Sequence, residues 1–373
     1  MDAAVEQYAR RAAGRNGANG LMITLDPRAA SKALVVWYAA RKRAFPWREE
    51  PTAYRIWISE IMLQQTRIEA ALPYFERFMA ALPTVRDLAA VDEDRLMKLW
   101  EGLGYYSRAR NLKKAAQTVV RECGGELPAS YERLLALPGI GEYTAGAIAS
   151  IAFGLPVPAI DGNVLRVIAR LTNDDGDVLS TPVKRRMGET VRAMLPEDTP
   201  GDFNQALMEL GETVCLPNTS PLCGRCPLAP WCKGRETGDP ARLPVRRPKK
   251  ERRVEERTVL IVIAKERVLL RRRPPQGLLA GLWELPAVEG WITPEAAAAV
   301  VGGWGGRPTS AELVGSGKHL FSHVEWRMRG VLMRTPAFAL PERSVWADAR
   351  ELREEAALPS AFRPFSSRLI DWL

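Results

Sequence analysis

The sequence predicts a multidomain protein in which a nearly all-α region precedes a smaller α+β domain. A chain of 373 residues is long enough for two or three domains. Between residues 31 and 240, apolar residues recur at intervals of three and four, as in amphipathic helices, and prolines such as Pro73 separate the segments. From residue 258 the pattern changes to short apolar runs with a turn at Lys265-Glu266, which predicts strands.

Composition and the first residues restrict the class of protein. The net charge of +9 favours a polyanionic partner. Residues 1–30 predict a loose leader, because they are rich in Ala, Arg and Gly and lack the apolar core of a signal peptide. The 18 uncharged residues from Tyr143 to Ile160 approach the length of a membrane span, but Gly154 and Pro156 favour a buried helix followed by an extended segment. We therefore expect a cytoplasmic protein without membrane contact.

Glu60 is the first candidate for chemistry, in the helical segment ISEIMLQQT. It lies one position off the apolar stripe of that segment, where a lone glutamate is usually a solvated surface acid. The amide and hydroxyl groups of Gln64, Gln65 and Thr66 follow it and have no evident packing purpose. These neighbours keep the functional interpretation open.

The turn LPGIG contains Gly139 and Gly141 and opens the next helix. Glycine permits conformations and close approaches that a Cβ would block, and amides at a helix start can bind a phosphate. Asp161-Gly162-Asn163 then begins another helical segment. Asp161 is either an ordinary N-cap or a reactive acid beside a bound backbone, and the residues alone leave both readings open.

Four of the five cysteines lie within 18 residues, with the spacing C-x7-C-x2-C-x5-C. Four soft thiolates this close together predict a metal site. A zinc ribbon usually repeats C-x2-C, whereas this run contains one such pair. The candidate ligands are Cys215, Cys223, Cys226 and Cys232.

Residues 241–257 predict an exposed linker, because they contain eight basic and three acidic residues. The linker either lies along phosphates or is a solvated tether. In the following domain, both histidines of the chain, His319 and His323, lie in KHLFSH. Without a third ligand nearby, they do not predict a zinc site on that strand.

Together these motifs resemble the adenine DNA glycosylase (MutY) family of helix-hairpin-helix DNA glycosylases. The resemblance covers residues 31–370 and rests on WISEIMLQQTRIE, LPGIG, PAIDGNVLRV and FSH. It implies a helical catalytic region at 31–240, with a helix-hairpin-helix at 137–147 and a [4Fe-4S] cluster loop at 215–232. It also implies a Nudix-like lesion-recognition domain at 258–373. The family spacing is C-x6-C-x2-C-x5-C, so the first gap is one residue longer here.

The resemblance implies a monofunctional DNA glycosylase of base excision repair. Its substrate would be duplex DNA with adenine opposite 8-oxoguanine or guanine, and hydrolysis of the N-glycosidic bond would remove the adenine. Glu60, with a raised pKa, would protonate the base, and ionised Asp161 would stabilise the sugar cation. Tyr143 and Asn163 would orient groups around Asp161. Tyr143 stands where lyase members of the superfamily carry lysine, so it forms no Schiff base and strand cleavage should be slight.

The resemblance also implies which residues contact DNA. Gln65 and Tyr105 would enter the base stack, as wedges that fill the gap left by an extruded base. Gln205 would read the adenine, and the FSH turn would recognise 8-oxoguanine. The full implied set is Arg48, Leu63, Gln64, Gln65, Thr66, Tyr105, Gly139, Gly141, Gln205, Phe321, Ser322 and His323.

The resemblance implies a monomeric, bacterial, nucleoid-associated adenine glycosylase. Two alternatives to this function remain. One is a related glycosylase for another mismatch, such as thymine opposite guanine, and Glu60 and the FSH turn argue against it. The other is a catalytically silent DNA-binding or iron–sulfur protein, and the Glu60–Asp161 pair argues against that.

Overall fold

The computed structural model of the protein describes residues 25–247 and 251–373. These residues form two compact units, which we describe separately. The first unit comprises residues 25–89 and 114–247, and the second comprises 90–113 and 251–373. Most of the predicted leader and three residues of the predicted linker lie outside the described residues.

Helices predominate before residue 250, as the apolar spacing predicted. In chain order they are α1 Pro27–Arg41, α2 Pro46–Glu49, α3 Ala53–Leu63, α4 Ile68–Ala81, α5 Val85–Ala90, α6 Glu93–Leu99, α7 Ser107–Cys123, α8 Tyr131–Leu135, α9 Glu142–Phe153, α10 Gly162–Thr172, α11 Thr181–Met194, α12 Pro200–Thr213 and α13 Lys233–Glu236. Of the helices in the described residues, none is long and apolar enough to cross a membrane.

The helix starts follow from local chemistry, and one predicted break is misplaced. Asp26 accepts hydrogen bonds from the first amides of α1, within the segment predicted as leader, and Thr52 caps α3. Pro73, expected to separate helices, lies inside α4. The chain instead breaks at residues 64–67, where Gln65 adopts a left-handed backbone.

The core of the first unit brings the site-bearing helices together. Buried side chains of α1, α10, α11 and α12 pack in one cluster that includes Leu34, Ile168 and Phe203. Residues 154–161, which lead into α10, are neither helix nor strand, and Asp161 has an extended backbone. The helices α9 and α10, whose first residues carry Tyr143 and Asn163, both pack against α12.

The second unit is built on a mixed sheet, with β1 and β6 parallel at its centre. Its strands are β1 Arg253–Ala264, β2 Arg267–Arg272, β3 Trp283–Glu284, β4 Ala287–Glu289, β5 Ser310–Leu320, β6 Val324–Arg334 and β7 Ser344–Ala347. The strand order is β3-β2-β1-β6-β5, with β4 paired to β1 and β7 to β2. Its helices are α14 Pro294–Gly303, α15 Ala349–Glu354, α16 Arg363–Ser366 and α17 Leu369–Trp372.

Two boundaries of the second unit differ from the predicted ones. β1 begins at Arg253, inside the segment predicted as linker, because residues 253–257 pair with β6. Residues 90–113, placed by sequence within a continuous helical region, group with the C-terminal unit. Lys98 Nζ donates to the carbonyl of Leu352 at 2.8 Å, and the backbone N–H of Leu358 donates to Glu101 at 2.7 Å. Such tertiary contacts leave no trace in hydrophobic spacing.

Candidate active site and cysteine pocket

The carboxyl group of Glu60 is enclosed, unlike that of most lone glutamates on helices. Glu60 lies near the end of α3 and is 8% exposed. The hydroxyl of Tyr143, in the first turn of α9, donates a hydrogen bond to Oε2 of Glu60. Burial raises the pKa of Glu60 to about 7; the Tyr143 hydrogen bond opposes this rise and the charge of Asp161 adds to it. A carboxylic acid that holds its proton near neutral pH can donate it to a substrate.

Tyr143 remains a hydrogen-bond donor throughout the neutral range. Burial, followed by the negative charge of Glu60, raises the pKa of Tyr143 well above its ordinary value. The hydroxyl also lies 3.5 Å from Sδ of Met208 on α12. Because Tyr143 occupies Oε2 of Glu60, the other carboxyl oxygen is the one left for a substrate.

Asp161 is the N-cap of α10, and its two oxygens have different partners. Oδ1 accepts from the backbone N–H of Val164 at 2.8 Å, and Oδ2 accepts from Nδ2 of Asn163 at 2.9 Å. Burial raises the pKa of Asp161, whereas these hydrogen bonds and the charge of Arg166 favour the ionised form. The capping and catalytic readings are therefore compatible, because the cap uses only one oxygen.

Arg166 connects this carboxylate to the cysteine segment. Its Nη2 lies 2.8 Å from Oδ1 of Asn163 and 2.8 Å from the carbonyl of Gly211, and its Nε donates to the carbonyl of Cys215 at 2.9 Å. Arg166 is buried, so this planar fork is fixed in one orientation. The amide of Asn163, and through it Oδ2 of Asp161, is thereby oriented from the first cysteine.

A second buried carboxylate, Glu209 on α12, organises the residues around Arg48. Arg48 donates through Nη2 to Glu209 at 2.9 Å and through Nε to Oε1 of Gln205 at 3.2 Å. Arg43 donates to the other oxygen of Glu209 at 2.6 Å. Burial alone would raise the pKa of Glu209, but the hydrogen bonds and charges of Arg43 and Arg48 lower it. Arg48, expected beside an extruded base, is thus bound to protein groups and orients Gln205.

The turn after α3 presents Gln65 in a strained conformation. Gln65 is exposed, with φ 60 in the left-handed region that residues other than glycine seldom adopt. Gln64 donates to Oγ1 of Thr144 at 3.3 Å, and the N–H of Thr66 donates to the carbonyl of Leu63 at 3.2 Å. These bonds hold the turn against the start of α9, so Gln65 is fixed where it projects.

The two hairpin glycines have different reasons to be glycine. Gly139 has φ 78, which requires the left-handed region. Gly141 has φ −94 and is the N-cap of α9 without a side-chain hydrogen bond, and a Cβ there would meet no protein atom within 4 Å. Backbone conformation therefore does not require glycine at Gly141, and close approach of a bound phosphate stays a prediction there. At Gly141 the protein leaves open space before the first amides of α9, the arrangement that an anion-binding helix start needs.

The four clustered cysteines line one pocket of about 310 Å³, part of which is open to solvent. Burial raises the pKa of Cys226 and Cys232, and the other cysteines add to the rise. A bound metal would replace these thiol protons. Around the first gap, the N–H of Leu222 donates back to the carbonyl of Val214 at 2.9 Å, which closes the loop between Cys215 and Cys223.

The side chains that line this pocket bear on what it can hold. Across residues 25–247 and 251–373, no three His, Cys, Asp or Glu side chains converge on the position of a single metal ion. Four thiol side chains around one pocket are the donor set that a polynuclear iron–sulfur group takes.

In the second unit, the adjacent Tyr105 and Tyr106 have different environments, one exposed and the other in the core. Tyr106 is 4% exposed, whereas Tyr105 is 50% exposed with φ 45. The guanidinium of Arg108 lies 5.7 Å from the Tyr105 ring centroid. Tyr105, like Gln65, is therefore an exposed residue held in the left-handed region, and both were predicted to enter the base stack.

The FSH segment, Phe321–His323, forms the turn between β5 and β6. His319 lies in β5 and His323 in the turn, so the prediction that they share a strand is wrong. The Phe321 ring lies edge-on to buried Trp326, at 4.8 Å between centroids, and 4.6 Å from His319. Ser322 and His323 are exposed. The turn is thus anchored by Phe321 and presents the two polar side chains.

Comparisons with known proteins agree with this arrangement. The model of the HhH-GPD superfamily of base excision DNA repair proteins matches residues 58–193, and a NUDIX domain model matches residues 258–368. Human adenine DNA glycosylase is 35% identical over an alignment that covers 90% of this chain and 73% of the human protein. The chain belongs to the adenine DNA glycosylase family.

Further matches support the family assignment. The rat adenine DNA glycosylase is 34% identical, with 91% of this chain and 78% of that protein covered. A thermostable thymine-DNA glycosylase of known structure has a TM-score of 0.51 at 27% identity, covering 56% of this chain and 95% of that chain. The predicted family and fold class are confirmed, and the protein is a DNA glycosylase.

Three residues of this adenine DNA glycosylase family member were missed by the motifs. Buried Glu209 pairs with half-buried Arg43 and with Arg48, which bonds to Gln205, and Arg166 orients Asn163. The sequence separation from a predicted site residue gave a weak indication of two of them, Glu209 and Arg166. Glu209 follows Gln205 by four residues and Arg166 follows Asn163 by three, so each lies on the same helix face as a predicted site residue.

Proposed function

We propose that the protein removes adenine opposite 8-oxoguanine by hydrolysing its N-glycosidic bond, and that it leaves the DNA strand intact. The observation that carries the proposal is the buried Glu60, whose pKa of about 7 and hydrogen bond from Tyr143 suit a general acid. The whole-chain similarity to adenine DNA glycosylases supports adenine as the base.

Glu60 would act on the leaving base. An adenine anion departs with difficulty, and protonation at N7 lowers that barrier. Tyr143 donates to Oε2, so the Glu60 proton would be carried on Oε1 and directed at the base. Tyr143 has no amine with which to attack the sugar, which supports base removal without a covalent lyase step.

Asp161 would act on the sugar. Departure of the base leaves an oxocarbenium-like C1′, which an ionised carboxylate stabilises or captures until water completes hydrolysis. The donors from Val164 and Asn163 favour that ionised form. The charge of Asp161 in turn raises the pKa of Glu60, so each carboxyl group favours the protonation state that the other needs.

The remaining predicted residues would hold the substrate. The open start of α9 at Gly141 suits a backbone phosphate. Gln65 and Tyr105 would fill the stack beside the extruded adenine, and Gln205 would read its edge. Ser322, in the turn anchored by Phe321, would contact the 8-oxoguanine, because a hydroxyl can donate to its extra carbonyl or accept from its N7 proton.

We also propose that Cys215, Cys223, Cys226 and Cys232 hold a [4Fe-4S] cluster. Such a cluster supplies structural cross-linking here, since base hydrolysis moves no net electrons. Anaerobically purified protein should be yellow-brown, with about four irons per chain. Stoichiometric zinc without iron would disprove this assignment.

Single-turnover base release on defined duplexes tests the function. Duplexes with A:8-oxoguanine, A:G and T:G should be compared under identical conditions. We expect fastest release of adenine opposite 8-oxoguanine, slower release opposite guanine and no thymine release. Preferred thymine release would indicate a different mismatch glycosylase, and binding without any release would indicate a silent DNA-binding protein.

A further inference from the structure

Arg170 on α10 has no role in the proposed reaction, yet it is 2% exposed. Its Nη1 lies 3.3 Å from Sγ of Cys215 and donates to the carbonyl of Leu216 at 2.9 Å. Its Nε donates to the carbonyl of Leu243 at 3.0 Å, in the segment that leaves the first unit. One guanidinium therefore joins the first cysteine to residues 243–247, which we call the exit segment.

The charge of Arg170 has no carboxylate partner among residues 25–247 and 251–373. Its hydrogen bonds go to two carbonyls and a sulfur, and it forms no ion pair in those residues. A buried charge is costly unless an opposite charge compensates it. Arg170 lines the same pocket as the four cysteines, so thiolates bound to a metal group there would supply the missing negative charge.

The helix that follows the last cysteine also fits closely against Arg170. A Cβ on Gly234 would lie 2.6 Å from the carbonyl oxygen of Arg170. This oxygen is also 3.4 Å from Sγ of Cys232. Arg170 thus contacts Cys215 through its side chain and Cys232 through its carbonyl oxygen, the two ends of the cysteine run. A change in the pocket would therefore alter contacts of both the backbone and the side chain of Arg170.

The exit segment is held on the first unit by few bonds besides that of Arg170. Residues 243–245 make one isolated bridge between Val245 and Asp177, and the N–H of Val178 donates to the carbonyl of Val245 at 3.1 Å. Two contacts from exposed side chains add to these: Arg242 donates to Asn173 at 2.9 Å, and Nε of Arg247 lies 3.7 Å from Oδ2 of Asp177. Loss of the buried Arg170 bond should therefore loosen this segment.

We propose that Arg170 is a positioning residue that makes attachment of the exit segment, residues 243–247, depend on the filled cysteine pocket. With the pocket filled, thiolate charge holds the guanidinium, and the guanidinium holds Leu243. With the pocket stripped, no bound group holds Cys215 against Nη1 of Arg170, so the guanidinium is less firmly positioned and the exit segment is released. This rests on the proposed metal site but not on the identity of the metal.

Limited trypsin digestion at the exit segment measures its attachment. The full-length protein should be digested as purified and after chelator treatment, and cleavage after Arg246 should be followed by mass spectrometry. We expect about tenfold faster cleavage after stripping, the scale of a lost hydrogen bond from a charged group. Iron and zinc analysis of the same samples reports the metal separately, so zinc would disprove the cluster while leaving this test valid.

Variants then assign the effect to Arg170. Arg170→Met with a filled pocket should be cleaved about as fast as stripped wild type, and Arg170→Lys at an intermediate rate, because it keeps the charge but loses the fork. Arg235→Met is the matched control, since Arg235 lines the pocket but is exposed and bonds only to the carbonyl of Ala229. It should behave as wild type.

The proposal is overturned if filled Arg170→Met or Arg170→Lys is as protected as wild type. If Arg170→Met fails to hold metal, the comparison of filled with stripped wild type decides alone, and equal protection in those two samples overturns the proposal. Filled Arg170→Lys should also show a shift of any cluster reduction potential, because hydrogen bonds to cluster sulfurs tune it.

Discussion

The carboxyl groups of the first unit and the FSH turn of the second unit are held in opposite ways. Glu60 is buried and its side chain is bonded, and both oxygens of Asp161 are occupied. In the turn, Phe321 is anchored on Trp326, while the side chains of Ser322 and His323 are exposed. Chemistry that depends on a shifted pKa needs burial, whereas recognition of a second molecule needs polar groups still open to it.

The largest expected effect lies in the buried pair. Glu60→Gln and Asp161→Asn should each slow single-turnover adenine release by ~10²- to 10⁴-fold, the usual contribution of a positioned acid or base. DNA binding should persist, because both substitutions preserve shape. Glu69→Gln, at an exposed position on α4, is the control. A near-normal rate in either site variant would remove that residue from the proposed chemistry.

The pH dependence of base release should show the pKa shifts that burial causes in Glu60 and Asp161. In the proposed mechanism adenine release requires protonated Glu60, so the release rate should fall about tenfold per pH unit above about 7. The acid limb should lie above the ordinary range of an aspartate, because burial raises the pKa of Asp161. The raised pKa of Glu60 also makes the folded state more stable at low pH. This contribution is fully present below the ordinary pKa of a glutamate and is lost as the pH rises through about 7. A pH-independent rate between 6 and 9 would contradict the assignment.

A smaller effect is expected at the exposed turn. Replacing Phe321 and Ser322 together by Ala should reduce the preference for 8-oxoguanine over guanine by ~1–3 kcal/mol, the scale of one good base-edge contact. Base release itself should change less. The control is Leu313→Ala with Ser316→Ala, two exposed positions on β5. Rates and affinities on both duplexes measure the preference, and an unchanged preference would move lesion recognition to Gln65 and Tyr105.

The smallest effect should come from helix caps, which separate stability from chemistry. Thr52→Ala removes the cap of α3, the helix of Glu60, and Asp348→Ala removes the capping box of α15. Each should lower the free energy of unfolding by ~0.5–2 kcal/mol in denaturant titration. Single-turnover rates should stay near wild type at temperatures where both variants are folded. A rate loss in Thr52→Ala comparable to that of Glu60→Gln would show that α3 position, rather than the acid, limits catalysis.

The sequence predicts what local patterns encode and misses what tertiary contacts create. Apolar spacing predicted the helices and the β1–β2 turn, and four clustered cysteines predicted their shared pocket. The burial of Glu60 was invisible, because it lies off the apolar stripe and is enclosed by Tyr143 from a distant segment. The pairing of Arg43 with Glu209 spans 166 residues, so no local pattern could reveal it. The break at Gln65 in place of Pro73 also depends on packing.

The two carboxylate oxygens of Asp161 have different partners, and this has a practical consequence. Oδ1 accepts from the backbone N–H of Val164, and Oδ2 accepts from the side-chain amide of Asn163 and is the oxygen that the cap does not use. Asparagine is as good a helix cap as aspartate, so Asp161→Asn exchanges one oxygen for nitrogen without removing the cap. The result should be a folded enzyme that still engages its mismatch and does not release the base. Such a protein would serve as a capture reagent, able to mark unrepaired adenine lesions in genomic DNA.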